Sequence, residues 1–139
     1  MDPQTFLFAF LTLASWGVSA FVDKLAANRI GVKSIFWNMI GYVPIIVIFV
    51  LIAFRAKGAF SGDRTGIWLA VLAGIIGSVG AVGYFTVLTR HDASRSVPLT
   101  ALYPALTAIL AFIFLKEAVT AVKVVGILLA TAAIVLLSI

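Results

Sequence analysis

The sequence predicts an all-α, polytopic membrane protein, a bundle of five transmembrane helices, and three observations lead there. Of 139 residues, 63% are apolar and only 11% are charged, whereas soluble domains sit near one half and one quarter. A soluble globule of this size leaves too much of its surface wet to hide such a surplus. The apolar residues also fall into five runs, Phe6–Val22, Ile35–Phe54, Gly66–Leu88, Val97–Leu115 and Val119–Ile139. Each is near the roughly 17 to 25 residues with which a helix crosses about 30 Å of hydrocarbon. Finally, the runs do not alternate in polarity as membrane-barrel strands do. In lipid a helix pairs every backbone group within its own segment, which makes it the conformation for runs this long.

The first run follows a single charge, Asp2. Val18-Ser19-Ala20 resembles a signal-peptidase site, but a secretory signal opens with a basic stretch, so the run is expected to stay as a helix. Thr12, Ser15, Trp16 and Ser19 share one of its faces at steps of three and four. The second run carries Ser34, Asn38 and Tyr42 at steps of four, and Pro44 lies inside it. On the third, Gly74, Gly77, Ala81 and Tyr84 share a face beside Gly80 and Gly83. This glycine series lies within an apolar helix and follows no strand, so it is not a nucleotide-binding loop. Trp68, near the start of that run, suits the aromatic belt at the membrane border.

The fourth run carries Ser96, Thr100, Tyr103 and Thr107, with Pro98 near its start and Pro104 inside it. The fifth has only Gly126 and Thr131, as a lipid-facing buttress would. Two readings fit these stripes. Small residues and hydroxyls let helices approach closely and bond across their contact, and this is the expectation for Gly74, Gly77, Gly80 and Gly83. Trp16, Asn38, Tyr42, Tyr84 and Tyr103 are the candidate substrate-binding residues of a cavity, although interfacial aromatics have the same composition. Pro44 and Pro104 are the candidate hinges, because each removes an N–H from its helix.

The formal net charge of +5 reflects basic loops between apolar runs and no nucleic-acid patch. If the runs alternate across the bilayer, one side receives Arg55, Lys57, Arg64, Lys116 and Lys123, and the other Lys24, Arg29, Lys33, Arg90 and Arg95. A Lys/Arg excess normally sets orientation, and an even split sets none. Either a modest bias is hidden by a misplaced boundary, or the chain inserts both ways round. In the second case two inverted copies form an antiparallel dimer, the arrangement that many transporters encode as inverted repeats in one chain.

No Asp, Glu, Lys, Arg or His is expected in the hydrocarbon portion of a span, where such residues mark ion paths and proton relays. The lone histidine, His91, falls in a loop beside Arg90 and Asp92. Cysteine is absent, and no catalytic set, metal-ligand cluster or cofactor motif is present, so an enzyme is not expected. A cavity without buried charge suits a neutral, zwitterionic or amphipathic molecule held by aromatic faces and a few polar groups.

Two stretches carry a family resemblance. Trp16-Gly17, Phe21-Val22 and Lys24 resemble the first-helix signature of the drug/metabolite transporter superfamily, EamA branch. The segment from Ser96 to Ser138 resembles the end of that family's repeat: Pro98, Tyr103-Pro104, Leu115-Lys116-Glu117, Val119-Thr120, Gly126 and a closing aliphatic run. The family often has Gly before the Glu, where this chain has Lys116. Typical members join two such five-helix repeats in inverted orientation, ten helices in all, and export metabolites or amino acids. The resemblance therefore implies that residues 1–139 are one repeat, a half-size transporter that works as an antiparallel, dual-topology homodimer by alternating access. It further implies an amino-acid-like substrate, a prokaryotic cell (inner) membrane, contact with membrane lipids and a structural role for Glu117. Two rival expectations are a subunit of a lipid-linked sugar flippase, which needs a different partner chain, and a non-transporting membrane scaffold.

Overall fold

The computed structural model describes residues 2–56 and 62–139; Lys57, one of the counted loop charges, lies outside them. Every regular element among the described residues is helical. In chain order they are α1 (Pro3–Ile30), a 3₁₀ turn (Gly31–Lys33), α2 (Ser34–Arg55), α3 (Arg64–Arg90), α4 (Ala93–Thr100), α5 (Tyr103–Phe114) and α6 (Ala121–Ser138). Four helical runs are long and apolar enough to cross a membrane, the first of them the 53-residue stretch Pro3–Arg55. Large apolar side chains point outward all along these runs, as they must where lipid is the solvent.

Helix α1 starts where backbone chemistry dictates. Asp2 Oδ1 accepts the Thr5 amide at 2.7 Å and Oδ2 accepts the Thr5 hydroxyl at 2.7 Å, while Pro3 is the first helical residue. An acidic N-cap followed by proline satisfies one orphan amide and dispenses with another. The same bonds hold the Asp2 carboxyl below its ordinary range. The helix then continues past the expected end at Val22 as far as Ile30. Asp23 and Lys24 are therefore helical residues, which corrects their expected place in a loop. A charge ends a hydropathic run without ending a ladder of backbone hydrogen bonds.

Gly31 breaks the ladder instead. Its φ of 63° is left-handed, a region open to glycine at little cost, and Ser34 Oγ ties the turn by donating to the Gly31 carbonyl at 2.8 Å.

The expected fourth span is two helices. Pro98 sits inside α4, not near its start, and Pro104 opens α5 in place of interrupting a longer helix. Proline has no N–H to return to Thr100, so the α-helical ladder stops across Ala101 and Leu102. There the amides of Leu102 and Ala105 make shorter-range bonds to Leu99 and Leu102. Beyond α5 the chain turns at Lys116, whose φ is 54°. The Glu117 amide reaches back to the Ala111 carbonyl, and Thr120 caps α6 by accepting the Lys123 amide at 3.3 Å.

The chain divides into two compact units, residues 22–89 and residues 1–21 with 90–139. In the first unit, Ala27, Ser34, Phe85 and Leu88 are buried. Lys24 Nζ donates to the Leu88 carbonyl at 2.8 Å, placing a cation on the C-terminal turn of α3 where the helix dipole favours one. In the second unit, α4 packs along α6. A cavity of about 420 Å³ is lined by Ala105, Ala108 and Phe112 of α5 and by Gly126, Ala130 and Thr131 of α6. The face of α6 that carries Gly126 and Thr131 lines this cavity, while Leu128, Leu129, Leu136 and Leu137 are exposed.

Candidate functional site

Several hydroxyl side chains of the spans spend their hydrogen bonds at home. The hydroxyls of Thr12, Ser78, Thr86 and Thr107 donate to the carbonyls of Phe8, Gly74, Val82 and Tyr103, four residues back. Thr100 donates to Ser96 and Val97. Such back-bonding satisfies a hydroxyl in lipid without a second helix, so these residues line nothing by necessity.

Asn38 and Tyr84 behave differently, and both lie in the unit formed by residues 22–89. Asn38 is half-buried on α2 and donates from Nδ2 to Asp23 Oδ1 of α1 at 2.8 Å. Tyr84, half-buried on α3, holds its ring edge-on to Phe85 with centroids 5.4 Å apart. Its Oη is buried and makes no hydrogen bond among the described residues. Asn38 thus joins α2 to the carboxylate of α1, and the Tyr84 phenol on α3 is left without a hydrogen-bond partner among the described residues.

The stripe on α2 fades in burial with distance from the Gly31 turn: Ser34 is buried, Asn38 half-buried and Tyr42 50% exposed. Trp16 is 65% exposed on α1 and Tyr103 56% exposed at the start of α5, and both belong to the other unit. Pro44 lies inside α2. A methyl group placed on Gly74, Gly77, Gly80 or Gly83 meets no neighbour within 4 Å, so no described residue crowds that face. Glu117 Oε2 lies 3.7 Å from Lys123 Nζ with both side chains about half exposed. Lys123 Nζ also donates to the Ala118 carbonyl at 3.1 Å and stands 5.8 Å from the centre of the Phe112 ring.

Asp23 is the residue that the sequence reading left out. Its signal was available: Thr12, Ser15, Ser19, Asp23 and the buried Ala27 continue one face of α1 at steps of three and four. Cutting the span at the first charge hid that continuation.

Residues 4–139 match the EamA-like transporter family. An uncharacterized protein of Methanocaldococcus jannaschii is 29% identical, over 100% of this chain and 98% of the relative. No solved structure matches the chain.

Proposed function

Because the chain belongs to the EamA-like transporter family, a family of membrane transporters, we propose that it is a half-size transporter. In this reading it moves small neutral, zwitterionic or amphipathic, amino-acid-like metabolites as an antiparallel, dual-topology homodimer by alternating access. The observation that carries it is the conjunction of a family match over essentially the whole chain with Lys and Arg counted five and five on the two sides that alternating spans define. One repeat with no preferred orientation supplies both halves of an inverted pair.

Each protomer crosses five times. The run Pro3–Arg55 spans 53 residues, about 80 Å as straight helix at 1.5 Å per residue, against a hydrocarbon core of about 30 Å. It crosses twice and reverses at the left-handed Gly31. The broken run Ala93–Phe114 and helices α3 and α6 supply the others. The uncrowded glycine face of α3 suits close approach by a second copy. Pro44 in α2 and the break ahead of Pro104 are the points where a rocking half can bend. Glu117 has a structural part, through its pair with Lys123 at the α5–α6 turn. Asn38 and Tyr84 are the leading selectivity residues, and the exposed rings of Trp16, Tyr42 and Tyr103 are further candidates. The cell (inner) membrane of a prokaryote is the expected location.

Reporters fused after Ile139 test the assembly: activity from both sides of the membrane is expected, and a one-sided signal removes the antiparallel homodimer. Uptake into liposomes holding purified protein tests transport itself. Asn38→Ala and Tyr103→Ala should change uptake while leaving the assembly intact, and unchanged uptake in both removes those residues from the site.

A further inference from the structure

We infer that the cavity between α5 and α6 holds one acyl chain of a zwitterionic, amine-bearing phospholipid whose head lies on Lys123 and Glu117. The inference stands within the unit formed by residues 1–21 and 90–139 and does not rest on the transport reading. A single cavity of about 420 Å³ brings its parts together. On α6, Lys123, Ile127, Ala130 and Ile134 line it at steps of four, three and four, which is one helical face. Ala105, Ala108 and Phe112 of α5 stand across from them. Small residues on both walls, Gly126 among them, leave the space that larger side chains would fill. Phe112 and Lys123 mark one end, with Lys123 Nζ 5.8 Å from the ring centre, and Ala101 and Leu102 line the other, at the break between α4 and α5. The first end adjoins the turn between two candidate spans, Ala93–Phe114 and Ala121–Ser138, so the cavity descends from the membrane border into hydrocarbon.

Length and section select the occupant. From Lys123 to Ile134 the cavity follows α6 for about 16 Å at 1.5 Å per residue. That is about half of a hydrocarbon core about 30 Å thick, the depth of one leaflet. Spread over that length, 420 Å³ gives a mean section of about 26 Å², against roughly 80 Å² for a helix about 10 Å across. A helix of a second copy does not fit, whereas a single hydrocarbon chain does. The charged end selects the head. Among the described residues Lys123 Nζ makes one hydrogen bond, to the Ala118 carbonyl at 3.1 Å, and its 3.7 Å separation from Glu117 Oε2 is too long for another. Two of its three N–H donors are thus open to a phosphate oxygen. Glu117 lines the same cavity and opposes a phosphate unless the head brings a cation of its own. A phosphate joined to a primary ammonium satisfies both, the anion on Lys123 and the ammonium on Glu117. The chain lies in apolar surroundings whether bound or free, so its packing sets the place and the head sets the selectivity.

The test titrates purified protein, stripped of lipid in detergent, with three probes: palmitoyl-oleoyl phosphatidylethanolamine, phosphatidylglycerol of the same chains, and chain-free glycerophosphoethanolamine. Native mass spectrometry counts what is bound, while gel filtration and thermal unfolding establish that each variant is folded. Phosphatidylethanolamine should bind once per protomer and about 3- to 10-fold more tightly than phosphatidylglycerol, the scale of one charge-assisted contact at half-exposed side chains. The chain-free head should not bind. Lys123→Gln should weaken phosphatidylethanolamine by a similar factor, and Glu117→Gln should remove the preference between the two lipids. Gly126→Leu puts bulk into the cavity at a position where a Cβ meets no neighbour within 4 Å, so it should abolish most of the binding while the protein stays folded. Equal binding of the two lipids by wild type, binding that survives Gly126→Leu, or retention of the chain-free head overturns the inference. A disulfide-linked dimer of Gly126→Cys, in a chain with no cysteine of its own, overturns it as well, because it seats a second copy where the lipid should lie.

Discussion

Replacing Lys116 by glycine and, in parallel, by alanine isolates a backbone cost that the turn between α5 and α6 carries. Lys116 sits at φ 54°, where a residue with a Cβ crowds the following carbonyl at about 1–2 kcal/mol. Glycine escapes that cost but gives up about 0.5–1 kcal/mol through its freedom in the unfolded chain. Both substitutions delete the same ammonium group at the C-terminal end of α5, so its favourable interaction with the helix dipole, about 0.3–1 kcal/mol, cancels between them. The Gly variant should therefore be more stable than the Ala variant by roughly 0.5–1 kcal/mol, or about 1–4 °C in Tm on the scale of proteins this size. Thermal unfolding in detergent, followed by circular dichroism at matched protein and detergent concentrations, measures the difference. An Ala variant as stable as the Gly variant, or more so, would show that the left-handed backbone at this turn is not what the position demands. The resemblance to a family that often places Gly here would then need another reason.

Three further outcomes follow from the packing and the caps. Leu88→Ala, at a residue 0% exposed, should cost about 2–5 kcal/mol, while Leu88→Met stays within about 1.5 kcal/mol; similar losses in both would argue against a tightly filled site. Glu117→Gln breaks a 3.7 Å pair that is half open to its surroundings, so its effect should stay below about 1 kcal/mol, and a larger drop in Tm would mean that Glu117 does more than brace the turn. The first turn of α1 should loosen in acid. Asp2 is held below its ordinary value of 3.8 by the Thr5 bonds, so its stabilisation is present above that value and is lost as pH falls through the lower folded one. Hydrogen exchange at the Thr5 amide reads this directly, and protection that is unchanged at pH 2 would remove Asp2 as the cap.

The membrane class was legible in the sequence because it rests on sums and run lengths, which need no knowledge of neighbours. Helical conformation followed, since lipid leaves long apolar runs no other way to pair their backbone groups. Helix ends were open to reading where local chemistry acts alone, as with Asp2 and Pro3 or Thr120 and Lys123, although the hydropathic runs began at Phe6 and Val119. The break ahead of Pro104 could have been read the same way, because a missing N–H interrupts any helix, but an unbroken apolar stretch concealed it. The extension of α1 to Ile30 could not be read from hydropathy, which responds to side chains while the helix is propagated by the backbone.

Only tertiary structure distinguished one stripe residue from another. Thr12, Thr107 and Asn38 look alike as polar residues in apolar helices. Two of them bond their own turn, and the third donates across 15 residues of chain to Asp23. A hydroxyl can reach its own i−4 carbonyl, so its needs are met locally. The Asn38 amide instead pairs with a carboxylate on another helix, and that pairing depends on where the turn at Gly31 brings α2 relative to the end of α1. The sequence by itself determined that this protein lives in lipid as helices. The fold decided that a charge, Asp23, is carried among them and which side chains face it.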